Sequence, residues 1–153
     1  MNSTPGAAAS VSQRLLQAGS SLGVSDWLVI DEDMNQAFAV VTRDPVPMQI
    51  DGQRFAHGFL TLSLLSDLMT SALQIDGSGS AVPEGYLLNY GFNRMRLIEP
   101  IPLGARIRGC FRTAECGVTK RGAVTIIPID VEIEIEGTER PALVGEWLTA
   151  WRK

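Results

Sequence analysis

Histidine and cysteine are scarce in this sequence, and their scarcity excludes several chemistries at once. The 153 residues include one histidine, His57, and two cysteines, Cys110 and Cys116. One histidine cannot complete a common zinc set, and the cysteine spacing is neither a redox Cys-x-x-Cys pair nor half of a zinc site, so free thiols and no metal are expected. No Gly-x-Ser-x-Gly elbow presents a nucleophilic serine. Gly77-Ser-Gly79 matches neither a P-loop nor a dinucleotide fingerprint, which argues against nucleotide-driven chemistry. Basic residues are in the minority, 13 Lys and Arg against 17 Asp and Glu for a net charge of −4, and this speaks against nucleic acid as a partner. The longest uncharged apolar stretch, 55–66, falls short of the roughly 18 residues that cross a membrane. Residues 1–9 have neither the basic region nor the apolar region of a signal peptide, and the reading is a cytoplasmic protein.

The length fits a single domain over 1–153, with 1–9 a small, polar and flexible arm. Residues 10–18 have the make-up of a short helix stopped by Gly19, and 26–30 reads as a short strand. Asp31 is placed to cap a helix over 32–42, with Glu32 and Asp33 in its positive first turn and Met34, Phe38 and Val41 at helical spacing. Pro45 and Pro47 stop it. Residues 56–75 are apolar on nearly all sides, the mark of a helix enclosed by other structure, and their few polar residues, Ser63, Ser66, Asp67, Thr70 and Gln74, form one narrow stripe.

Beyond the 76–80 loop the periodicity changes from helical to alternating, which predicts strands over 85–98, 104–119, 122–136 and 141–152. The clearest alternation sets Ile127, Ile129, Val131, Ile133 and Ile135 against Asp130, Glu132, Glu134 and Glu136. One buried helix followed by an antiparallel sheet is an α+β arrangement. Seven of the 13 basic residues fall within 92–121. Folding the hairpin about Arg121 sets Arg106 opposite Glu136, Arg108 opposite Glu134 and Arg112 opposite Asp130, so an outer-face ladder of ion pairs accounts for three of them. Arg94 and Arg96 have no such acidic ladder and are the candidates for contacts to phosphate.

Three segments together carry a family resemblance: Asp26-Trp27 through Thr42-Arg-Asp44; Phe55-Ala-His-Gly-Phe-Leu-Thr-Leu-Ser63 with its two following leucines; and Asn89-Tyr-Gly-Phe-Asn-Arg94 with Pro102-Leu-Gly104 and the closing Gly145-Glu-Trp-Leu148. Over about 20–152 the chain resembles the MaoC-like dehydratases, which include (R)-specific enoyl-CoA hydratases and NodN-like proteins. The resemblance implies a hot-dog fold, in which a curved antiparallel sheet wraps a long central helix. It also implies a homodimer with acyl-thioester tunnels near the subunit interface, and a substrate carried as a CoA thioester with no separate cofactor.

For the site, the resemblance implies an Asp with a His five residues later to handle a water and a substrate proton, and a backbone N–H at the start of the central helix to hold the thioester carbonyl. Asp44 falls on the Asp position. Gln49 stands where the family has His, and Gln orients water but neither takes nor gives a proton at neutral pH. Gly58 matches the helix start, where a missing side chain serves either carbonyl approach or close packing. Ser63 matches a serine that faces the site, and a buried helical serine bonding its own backbone fits equally. His57 is mostly structural in the family, and Asp51 is either a loop cap or a substitute carboxylate.

The leading reading is an acyl-CoA hydratase or dehydratase acting at a trans-2-enoyl or 3-hydroxyacyl thioester, with Asp44, Gln49, Gly58 and Ser63 at the site and Arg94 and Arg96 on the CoA phosphates. The replaced His leaves two alternatives open: a hot-dog acyl-CoA thioesterase, with Asp67 as its carboxylate, or an acyl-thioester binding protein without catalysis.

Overall fold

The computed structural model describes residues 10–75 and 86–152; the expected arm, the 76–80 loop and the first residue of the strand expected from 85 lie outside them. Helix α1 (Val11–Leu16) opens at Ser10, whose Oγ accepts the Gln13 N–H while the Gln13 side chain accepts the Ser10 N–H, a reciprocal capping box. Strand β1 (Ser21–Val24) follows, an element the sequence did not suggest. Of the strand expected over 26–30, only β2 (Leu28–Val29) forms, because the Asp26 N–H bonds to Ser71 Oγ instead of to a neighbouring strand. Helix α2 (Glu32–Thr42) has the expected bounds, with Asp31 Oδ1 accepting the Met34 N–H at 2.8 Å. Next come β3 (Met48–Ile50) and β4 (Gln53–Phe55), a separate two-stranded hairpin turned by Asp51 and Gly52 at φ 49° and 81°. Two residues at positive φ make the tight turn whose twist matches a hairpin.

The helix expected as one piece is two, α3 (Gly58–Ser63) and α4 (Leu65–Ala72). Between them the Leu64 N–H is shared by the Leu60 and Thr61 carbonyls at 3.1 and 3.3 Å, and Ser63 Oγ donates to Phe59 O at 2.9 Å. Serine bonding to the carbonyl four residues back bends helices, and the shared N–H marks a tighter turn. The end comes three residues before Ile75: Gln74 is left-handed at φ 57°, and the Ile75 N–H reaches back to Thr70 O, closing the helix. Enclosure is also incomplete. Leu65, Leu68, Met69 and Ala72 are buried, whereas Ser63, Ser66, Asp67, Thr70 and Gln74 are exposed along the stripe read from the sequence.

The remaining strands are β5 (Tyr86–Leu97), β6 (Arg106–Thr113), β7 (Thr119–Arg121), β8 (Val124–Ile135) and β9 (Leu143–Arg152). The expected 104–119 strand is split by a turn in which the Gly117 N–H bonds Ala114 O, with Gly117 at φ 70°. All pairings are antiparallel and run β1-β6-β8-β9-β5, with β2 added to β6 and β7 to β8. The inner face of β8 is as the alternation required: Ile127, Ile129, Val131, Ile133 and Ile135 are all buried in one core with Leu65 and Leu68 of α4. Burying each such side chain contributes roughly 1.5–3 kcal/mol. Helix and sheet meet closely because Gly23, at φ 111°, lies against the Ala72 carbonyl oxygen, where any Cβ would collide.

On the outer face Arg108 pairs with Glu134 (Nε to Oε2, 2.5 Å) and Arg106 with Glu136, and both guanidiniums lie over Trp27, at 4.5 and 5.8 Å from the ring centre. The Arg106 hydrogen bonds hold the Glu136 carboxyl below its ordinary value. Arg112 faces Asp130 in register, as expected. Asp130 is also directly opposite Glu146 on β9, and desolvation first, then the Glu146 charge, pushes its pKa above the ordinary 3.8. A folded-state pKa that is raised favours the protonated carboxyl: its stabilisation is complete below the unfolded value and is lost as pH rises through the folded one. Asp130→Asn should therefore raise the melting temperature at pH 7, with the advantage shrinking toward zero as pH falls to about 4. Thermal melts across that range check this, and an unchanged or lowered melting temperature at pH 7 would refute it.

Candidate active site

Asp44 is placed by the end of α2. Arg43 caps the helix in the left-handed conformation (φ 58°), reversing the chain so that the Asp44 N–H bonds Ala39 O at 3.1 Å. One carboxylate oxygen lies 3.4 Å from the Val46 N–H, and the other lies 3.5 Å from Nδ1 of His57. The Asp44 side chain is 57% exposed and that of His57 10%. His57 is held from three directions. Its backbone N–H donates to Oδ1 of the buried Asn35 at 2.9 Å, its ring lies against Phe38 with centres 5.8 Å apart, and its Nδ1 faces Asp44.

Of the expected site residues, the structure brings Asp44 to the residue preceding Gly58. Gln49 is exposed on β3 opposite Arg54, and its described contacts do not include Asp44. The hairpin that carries it is tied down by Arg54, which pairs with Glu32 at 2.7 Å, and by the Ala56 N–H to Ile101 O. Asp51 is the first residue of the hairpin turn. Gly58 opens α3 beside a cavity of about 170 Å³ lined by Met48, Ala56, Thr61, Leu97 and Ile101 among others; Asp44 and Gln49 do not line it. A Cβ on Gly58 would meet only the far end of the half-exposed Leu97 side chain, which can turn away, so close packing does not by itself require glycine here. Ser63 spends its hydroxyl proton on Phe59 O, the backbone role weighed against a site role. Asp67 is exposed in the first turn of α4.

Arg94, for which no acidic ladder is expected, stands near one acid. It occupies an irregularity of β5 at φ 52°, with Nη2 3.9 Å from Glu146 Oε2, although its own side chain is 82% exposed. Arg96 is exposed opposite Val144, with no ion pair among the described residues. The two motifs of the resemblance that lie on β5 and β9 meet each other: Trp147 Nε1 donates to Asn89 Oδ1 at 3.1 Å, and Asn93 Nδ2 donates to the buried Glu146 at 2.7 Å. Farther along α4, a largely apolar cavity of about 470 Å³ lies between Leu15, Met69, Leu73, Leu87, Trp147 and Trp151.

Two features of this site escaped the sequence reading. Asn35 shares the α2 face of Phe38 and Ala39, and a polar residue within a buried stripe is the signal that marks it. The approach of His57 to Asp44 depends on the left-handed Arg43 and had no signal in the spacing.

The layout of one antiparallel sheet over a central helix is the hot-dog fold. The (R)-hydratase PhaJ1 of Pseudomonas aeruginosa superposes with a TM-score of 0.67 at 17% identity, covering 94% of this chain and 86% of that one. No protein-family model matches the chain. Among curated proteins, nodulation protein N of Rhizobium leguminosarum is 36% identical over 142 residues, covering 86% of this chain and 84% of the relative. The 3-hydroxyacyl-thioester dehydratase Z of Mycobacterium tuberculosis is 32% identical over 147 residues, covering 90% and 92%. The chain belongs to the MaoC-like family of hydratases and dehydratases. No helix among the described residues is long and apolar enough to cross a membrane.

Proposed function

We propose that the protein adds or removes water at a trans-2-enoyl or 3-hydroxyacyl thioester of coenzyme A. The observation that carries this reading is Asp44, a half-exposed carboxylate that the end of α2 sets against the residue before Gly58. Asp44 is the base that takes the proton of the attacking water, Gln49 helps position that water, and the Gly58 N–H holds the thioester carbonyl as it becomes an enolate. Ser63 stays a helix residue. The reaction is redox-neutral: water supplies the hydroxyl at C3 and the hydrogen at C2, so no cofactor is required. The apolar cavity along α4 is of a chemistry that suits the acyl tail.

Crotonyl-CoA is the substrate to test, by loss of enoyl absorbance. Asp44→Asn should lower the rate by roughly 10²- to 10⁴-fold, the range of general base catalysis. A rate indifferent to Asp44→Asn would remove Asp44 from the chemistry. A wild type that binds acyl-CoA but leaves the enoyl group intact would favour the non-catalytic binder, which Gln49 already suggests, and free thiol released in the same assay would favour the thioesterase.

For the CoA phosphates the candidates remain Arg94 and Arg96, whose side chains are exposed, whereas Arg106 and Arg108 are spent on Glu136 and Glu134. Replacing Arg94 and Arg96 together by Ala should raise KM for the CoA substrate about tenfold or more with kcat little changed. An unchanged KM, with Arg108→Ala raising it instead, would reverse the assignment.

A homodimer joined along β5 is the expected working form. This strand is an edge of the sheet, and Tyr86, Leu88, Tyr90 and Phe92 are 47–73% exposed at alternate positions along it. An edge strand with an apolar exposed row is a template for pairing with a second copy. Sedimentation at micromolar concentration should give twice the chain mass, and a monomer would count decisively against the dimer.

A further inference from the structure

His57 is the N-cap of α3, yet its imidazole makes no hydrogen bond to the helix it caps. Histidine is not among the preferred N-cap residues either, so capping does not account for the ring at this place. The residue is nonetheless held at its backbone by buried Asn35 and its ring lies tilted against Phe38. Its Nδ1 is turned to Asp44. Of the other charged groups here, Glu32 is paired to Arg54, and Asp44 is the carboxylate within 4.0 Å of the ring among the described residues.

We propose that His57 is the positioning residue of the Asp44 base. This rests on the hydratase reading above. In the neutral ring the proton sits on Nδ1 and is donated to the near carboxylate oxygen, so the other oxygen, which accepts the Val46 N–H at 3.4 Å, keeps its remaining lone pair for water in one orientation. The 3.5 Å separation is longer than an ordinary N–H···O bond, and catalytic hydrogen bonds commonly tighten only in the complex with substrate. In hydration, the Asp44 oxygen away from His57 takes a proton from water as the C3–O bond forms. The alkene π electrons move toward the thioester carbonyl, and the same proton returns from Asp44 to C2. His57 keeps its own proton throughout, and atoms and charge balance.

The test uses two variants of equal polarity. In His57→Asn the amide nitrogen falls near the place of Nδ1, whereas in His57→Gln it falls near the place of Nε2 and turns away from Asp44. With crotonyl-CoA, Gln should cost about 10²-fold in kcat with KM within about threefold, and Asn less than about tenfold. As His57 is the one histidine of the chain, its ring nitrogens are unambiguous in an NMR spectrum. The Nδ1–H form should dominate in the wild type and give way in Asp44→Asn. An active wild type with Asn and Gln variants equally active, or equally impaired, would overturn the positioning role and leave the hydratase reading standing; so would a ring protonated on Nε2 in both wild type and Asp44→Asn. A wild type inactive on crotonyl-CoA would overturn the hydratase reading, and the positioning role with it.

Discussion

The close approach of β1 to α4 governs the rest of the architecture. Gly23 lies against the Ala72 carbonyl because it has no side chain, and this lets the sheet bring Ile127, Ile129, Val131 and Ile133 down onto the leucines of α4. Every strand order and register then follows from keeping that apolar face covered, since a slip of one residue on β8 would send the isoleucines outward and bury Asp130, Glu132 and Glu134. With α4 fixed in place, α3 before it is held through the turn at Leu64, and the site is assembled at the start of α3.

Elements with strong periodicity were legible in the sequence. Strand β8 alternates from Ile129 to Ile135, α2 carries its cap at Asp31, and the hairpin about Arg121 sets Arg108 opposite Glu134. What the sequence obscured was local. Leucines run through 60–65 without a break signal, so the bend at Leu64 shows only in the carbonyls its N–H shares. Strand β1 is too short to alternate clearly, and the hairpin at 48–55 was announced only by Asp51-Gly52, a turn pair between two strands of three residues each. For the candidate site, Asp44 and Gly58 were recognisable by resemblance. The neighbour of Asp44 was not, because thirteen positions and a left-handed Arg43 separate spacing from contact.

Motifs that look chemical can be mutual supports. The Asn-Tyr-Gly-Phe-Asn-Arg segment of β5 and the Gly-Glu-Trp segment of β9 are distinctive in sequence, and in three dimensions each holds the other: Asn89 takes the indole proton of Trp147, and Asn93 donates to Glu146. Gly145 adds to this, since a Cβ there would collide with the Met95 backbone. A buried carboxylate needs such a donor, for burying a charge without hydrogen bonds is costly. Within these motifs, Arg94 is the charged side chain that extends into solvent, its side chain 82% exposed.

The β3–β4 hairpin is a two-stranded sheet of its own, anchored at Ala56 to Ile101 and at Arg54 to Glu32 but sharing no ladder with the main sheet. It is therefore an interchangeable part. The stretch between Asp44 and Arg54 can change in length, charge or bulk while the Asp44 N–H stays on Ala39 O, the Ala56 N–H stays on Ile101 O and the core stays untouched, so a descendant of this chain has a route to a different substrate that does not pass through a loss of folding.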